Sequence, residues 1–154
     1  MGSFYANVVV PRCDRERVAD ILRALRREAF LAATPSGATV IYDEACESLD
    51  DEEIAELGSA LSKRTFGFVW AVVCADDDAL AYQLFRAGKV ADKYEAGSDF
   101  EVHGGNAQAL AEAFGCPERV PALDAVLRRP GLGDGSYTFA SERHSDLAVA
   151  LELP

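Results

Sequence analysis

Residues 99–115 read DFEVHGGNAQALAEAFG and hold one of the chain's two histidines beside two consecutive glycines. A helix entered through Asn106 would present free N–H groups to a carboxylate or phosphate. HGG also occurs in the oxyanion loop of esterases, but no G-x-S-x-G nucleophile elbow stands anywhere in the chain. Both ideas compete with a local role. Asn106 is a favoured N-cap residue, and Gly104 and Gly105 supply the backbone freedom to turn into the helix. Capping is the leading reading, with His103, Gly104, Gly105 and Asn106 kept as candidate ligand contacts.

His144 falls in a last helix with Ala140, Leu147 and Leu151 near the same face, the spacing of a packed histidine. Neither H-x-x-x-H nor H-E-x-x-H is present to make it a metal ligand. Cys13 follows Arg12 and precedes a helix, and both features lower a thiol's pKa, so a Cys–His couple is the strongest nucleophilic idea. The four cysteines, Cys13, Cys46, Cys74 and Cys116, contain no Cys-x-x-Cys pair and are read as reduced packing residues. Asp76-Asp77-Asp78 lacks the glycine and glutamate of a calcium loop, Ala81 and Ala87 standing in their places. The loop GLGDGS lacks the Lys-Ser/Thr ending of a phosphate loop. No catalytic residue is assigned, and neither a metal nor a cofactor is expected.

Charge narrows the classes of partner. The chain carries 26 acidic against 15 basic residues, a net charge of −11. That balance opposes nucleic-acid phosphates and anionic membrane surfaces. It is uneven: residues 12–27 hold six arginines, whereas residues 43–56, DEACESLDDEEIAE, hold eight acids and no base. Part of the acidic run falls in the first turn of a helix, where it complements the macrodipole. Glu44 and Glu47 would then simply be solvated; alternatively the whole segment, with Glu44, Glu47, Asp50, Asp51 and Glu53 as candidates, forms a negative patch for a basic protein partner.

The elements that position these residues can be read from periodicity. FYANVVV is a strand, and Asp14 caps a helix with Val18, Ile21, Leu22, Leu25 and Ala29 on one face. TPSG breaks the chain before a strand in ATVIYDE, and Ser48-Leu49-Asp50-Asp51 has the form of a capping box for a helix bearing Ile54, Leu57 and Leu61. FGFVWAVVCA is apolar without alternation and suits a strand buried on both faces. With ALAYQLFR, the Ala87-Gly88 turn and KVADKYE it makes an antiparallel meander. Helices are expected from Ala107 to Phe114, from about Pro117 to Pro130, and from Phe139 to Leu151. The result is one α+β domain over residues 1–154. Its order is β-α-β-α-β-β-β, a mixed, mostly antiparallel sheet of about five strands with helices packed on it and a helical C-terminal third. The strand–helix–strand units at the start favour parallel neighbours. A basic region ahead of a long apolar run is lacking, as is any stretch near the ~20 apolar residues of a membrane span, so a cytoplasmic location is expected.

Tyr82, Leu84, Gly88, Asp92 and Tyr94 in the hairpin, Gly104 and Gly105 at the helix entry, and Arg143-His144 in the last helix form one further pattern. It resembles that of small uncharacterised bacterial proteins and spans residues 82–153. The resemblance implies a stand-alone bacterial module and carries no activity. The chain is accordingly expected to be a non-enzymatic domain acting through protein–protein contact, of an immunity or regulatory type. The alternative is a small-ligand binder or enzyme centred on His103 and His144.

Overall fold

The apolar run Phe68–Ala75 forms β4, the middle strand of a seven-stranded sheet of order β2-β3-β1-β4-β5-β6-β7. The computed structural model describes residues 4–43, 46, 50–76, 78–97, 101–130, 137 and 139–153. The other strands are β1 (Phe4–Val10), β2 (Ala29–Ala33), β3 (Thr39–Asp43), β5 (Ala79–Arg86), β6 (Lys89–Ala96) and β7 (Val102–Gly104). The helices are α1 (Arg15–Ala24), α2 (Asp51–Thr65), α3 (Ala107–Phe114), α4 (Val120–Arg128) and α5 (Ala140–Ala150).

Side chains alternate across a strand, and each face of β4 meets its own helical layer. Val69 and Ala71 pack with Val18 and Leu22 of α1 and Ile54, Leu57 and Leu61 of α2. Trp70, Val72 and Cys74 pack with Leu110 of α3, Leu123 and Leu127 of α4 and Leu147 of α5. The strand is buried on both faces, as its lack of alternation implies. The domain is α+β with a helical C-terminal part.

Two strand expectations need correction. The sheet has seven strands rather than about five, because Ala29–Ala33 is β2 and Val102–Gly104 is β7. Ala29 is not on the α1 stripe: the helix ends at Ala24, and Arg26 turns the chain with φ 56. The expected parallel neighbours are not found: among the described residues every strand pairing is antiparallel. The reason is the segment 34–37, which closes a β2–β3 hairpin. Gly37 N–H donates to the Thr34 carbonyl (3.1 Å) and the Ala38 N–H to Thr34 Oγ1 (3.0 Å). The extra strand reverses the chain once more before β3 joins β1.

The expected meander is present, and Ala87 (φ 49) and Gly88 (φ 86) both adopt the left-handed conformation that a tight β-hairpin turn favours. Gly88 also ties this turn to α2: its N–H donates to Ser62 Oγ (2.9 Å) and its carbonyl accepts from Ser59 Oγ (2.8 Å). The cap of α2 is Asp50, which accepts from the N–H groups of Glu52 (2.9 Å) and Glu53 (3.2 Å). Ser48, read as the start of a capping box, lies outside the described residues.

Gly104 has φ +72, and a Cβ there would strike the Lys93 carbonyl oxygen of β6, whereas Gly37 has φ +84 with open space around it. Gly104→Ala is therefore expected to lower stability by about 3 kcal/mol or more, and Gly37→Ala by about 1 kcal/mol. Equal losses in urea titrations would contradict the close approach of β7 to β6.

Candidate functional site

The α3–α5 layer does not extend over the whole sheet. Ala32 of β2, Val40 of β3 and Val9 of β1 join the cluster beneath those helices. The period of two then places Phe30, Tyr42, Asn7 and Tyr5 on the same face. Phe30 and Tyr42 are direct cross-strand partners and are 82% and 41% exposed. Where α5 meets this open region, Phe4, Tyr5, Ala6, Asn7, Tyr42 and His144 line a cleft of about 550 Å³.

His144 forms the inner wall of the cleft. Its Nδ1 shares a 2.6 Å hydrogen bond with the Tyr5 hydroxyl. Its ring stacks on Tyr5 at 5.3 Å and meets the Trp70 ring edge-on at 5.9 Å. Burial pushes its pKa down to about 4, because a charged imidazolium would lose its hydration there. The histidine is thus neutral at pH 7 and offers one ring donor and one ring acceptor.

The neighbouring Arg143 serves packing. Only 3% exposed, it donates to the carbonyls of Val126 (2.7 Å) and Arg129 (2.5 Å), satisfying the end of α4. Its guanidinium also lies 4.6 Å from the Tyr137 ring centroid.

His103 is elsewhere. It pairs with Glu95 on β6, while Tyr94 and Ala96 on either side face the α3–α5 layer. His103 therefore projects from the opposite face to the one that His144 covers. It is 60% exposed and 3.7 Å from Glu101. His144 touches Tyr5 of β1 and Trp70 of β4, and roughly 14–19 Å, three to four strand spacings, separates those strands from β7. The structure does not assemble a His103–His144 site.

The glycine-rich segment is the corner from β7 into α3. Asn106 Oδ1 accepts from the Ala109 N–H (3.1 Å), the capping bond expected of it. Gly105 N–H donates to Lys93 O (2.7 Å). The Asn106 N–H donates to Asp92 Oδ2 (2.7 Å), which also accepts from the Tyr82 hydroxyl (2.7 Å). The chain's own carboxylate thus already sits at the entry to α3. Tyr94 stacks on Tyr82 at 5.2 Å and donates to Leu127 O (2.9 Å). Tyr82, Asp92, Tyr94, Gly105 and Asn106 therefore fasten α3 and α4 onto β5 and β6, whereas Gly88 binds α2 and Arg143 joins α5 to the end of α4.

Cys13 does not meet His103 or His144; it is 6% exposed beneath the start of α1. Burial raises its pKa, outweighing the nearby Arg17, so its environment opposes rather than promotes a thiolate. All four cysteines are buried, and no disulfide joins them. No cluster of three metal-ligating side chains occurs among the described residues.

The acidic candidates divide. Asp50 is occupied as the α2 cap, and Glu53 pairs with Arg27 at 2.9 Å. Asp51, Glu52 and Glu56 remain exposed. Glu44 and Glu47 lie outside the described residues. Arg27 also reaches Asp43, the residue after Tyr42, at 3.4 Å. The first turn of α2 is thereby held at the same end of β3 as the exposed aromatic pair, on the other face of the sheet.

Sequence reading missed Tyr5, Asn7, Tyr42, Phe30 and Phe4. Tyr5 and His144 are 139 positions apart, so no local spacing signals their contact, and the exposure of Phe30 depends on β2 being an edge strand.

The depressed His144 pKa has a testable sign. Below pH 6.5 the unfolded chain gains this proton while the folded protein refuses it until about pH 4. The contribution is fully present above pH 6.5 and is lost progressively as pH falls toward 4. Between pH 7.5 and pH 5 the wild type is expected to lose about 2 kcal/mol more unfolding free energy than His144→Gln. Parallel pH profiles in denaturant titrations would contradict a buried neutral histidine.

In comparison with known proteins, no family model matches this chain, and no curated protein or solved structure matches it either.

Proposed function

We propose that the chain is a non-enzymatic binding module that docks a basic protein partner over the open end of its sheet. Phe30 and Tyr42 are the apolar anchors, and Asp51, Glu52 and Glu56, on the α2 side of the sheet, supply the negative charge beside them. The carrying observation is the cross-strand pair Phe30–Tyr42, 82% and 41% exposed on a face covered by helices elsewhere. Contiguous exposed aromatics mark interaction surfaces and supply the buried anchors on which protein interfaces depend. The net charge of −11 selects a basic partner and accelerates encounter with it. A partner neutralised or regulated by this contact is the kind that an immunity or regulatory protein takes.

A photoactivatable residue placed at position 30 or 42 in the native host tests this reading. Discrete adducts with one basic protein are expected from these positions and not from Val149, an exposed apolar residue on α5. Asp51→Lys with Glu52→Lys is expected to weaken the adduct, as is added salt. No adduct, or equal adducts from position 149, would contradict the docking surface.

The His144 cleft favours a second reading. Its volume of about 550 Å³ and its mixture of rings with Asn7, Tyr5 and His144 fit the general character of small-molecule sites. With Nδ1 engaged by the Tyr5 hydroxyl, the neutral ring leaves Nε2 to a ligand, which favours an uncharged, planar compound with one complementary hydrogen-bonding group. Titration of a library of such compounds is expected to shift the His144 ring nitrogen resonances. A library that leaves those resonances unchanged would remove this reading and leave the protein surface.

A further inference from the structure

A second cleft, of about 300 Å³, lies at an end of the sheet away from the two histidines. The turn after β1 brings Arg12, the first turns of α1 bring Arg17, and the end of β5 brings Arg86. Phe66 and Phe68 flank the space from the end of α2 and the start of β4, and Ala113 of α3 also borders it.

Three arginines lining one cavity are unusual in a chain of net charge −11. None of the ion pairs among the described residues involves Arg12 or Arg17. Arg86 has only a long 3.8 Å approach to Glu112, with both side chains about 60% exposed, an arrangement that solvent weakens. The Arg86 guanidinium lies 5.1 Å from the Phe68 ring centroid, which braces it over the cavity. Arg12 rests against Gly115, where a Cβ would collide with the guanidinium.

The aromatic rim is also unusual. Phe66 is 87% exposed and holds φ 54 at the C-cap of α2, a position at which glycine or asparagine is the ordinary residue. A large aromatic is held there in a left-handed conformation with almost no burial to offset the strain. A flat apolar surface beside a triad of cations matches a ligand with a ring at one end and a dianion at the other. Guanidinium groups recognise phosphate through directed, charge-assisted hydrogen bonds. The acidic surroundings disfavour a polyanion, so the fitting ligand is small.

We infer that this cleft binds a small phosphate-bearing ligand, with the phosphate held by Arg12, Arg17 and Arg86 and the ring lying on Phe66.

Isothermal titration calorimetry with adenosine monophosphate and with inorganic phosphate, at low ionic strength on the full chain, tests the site. Saturable binding of both is expected, with the nucleotide tighter. Arg17→Gln and Arg86→Gln are each expected to weaken both ligands by roughly tenfold, and added salt should do the same. Phe66→Ala is expected to bring the nucleotide down to the affinity of phosphate while leaving phosphate unchanged. All three side chains are exposed, and unchanged thermal melting of the variants shows that the fold is retained. Absence of saturable binding at millimolar ligand overturns the proposal, as does binding indifferent to the arginine variants. Equal affinities for the two probes with no effect of Phe66→Ala also overturn it.

Discussion

Burial of β4 on both faces is the constraint on which the rest of the structure depends. Trp70, Val72, Cys74 and Val69 are fully buried and Ala71 is 2% exposed. An antiparallel sheet commonly leaves one face to solvent, but this strand has no polar face to offer. Helices must cover both sides, and the chain supplies them in sequence: α1 and α2 for one face, α3 to α5 for the other. Trp70 joins the second layer together, meeting the rings of Tyr82, Phe114 and His144 at 5.8–5.9 Å.

Coverage centred on β4 leaves the sheet's ends to be treated differently. Toward β6 and β7, a polar corner fastens α3 and α4 through Asp92, Asn106 and the Tyr94 hydroxyl. Toward β2 the α3–α5 layer stops at His144, and the aromatic cross-strand pair beyond it meets solvent. Adjacent residues of α5 divide the work: Arg143 satisfies the end of α4 inside the layer, and His144 borders the cleft. The uncovered aromatics therefore arise where the helical layer ends, and this geometry, more than the acidic run itself, supports a contact surface.

How much could be read from the sequence depended on whether the signal was local. The caps at Asp14 and Asn106, the αL stop at Gly115 and the meander through Ala87-Gly88 were legible because a few neighbouring residues determine each. Strand β2 was not: Ala29 falls in phase with the apolar stripe of α1, and AFLAA contains no β-branched residue. Missing it also concealed the hairpin that makes the β1–β3 pairing antiparallel. At β7 only three residues are extended, too few for a periodic signal. The histidines invited a common site because they are rare, whereas strand alternation sends His103 to the other face. In the acidic segment, capping by Asp50 was local, but the Arg27–Glu53 pair across elements was not.

Hydrogen–deuterium exchange of the chain, alone and bound to the basic protein captured from its host, tests the central claim most directly. The account predicts protection concentrated in residues 29–33 and 39–43 and in the first turn of α2, with β7 and α3 unchanged. Unaltered exchange in β2 and β3, with protection over β6 or β7 instead, would contradict a docking surface at the open end of the sheet.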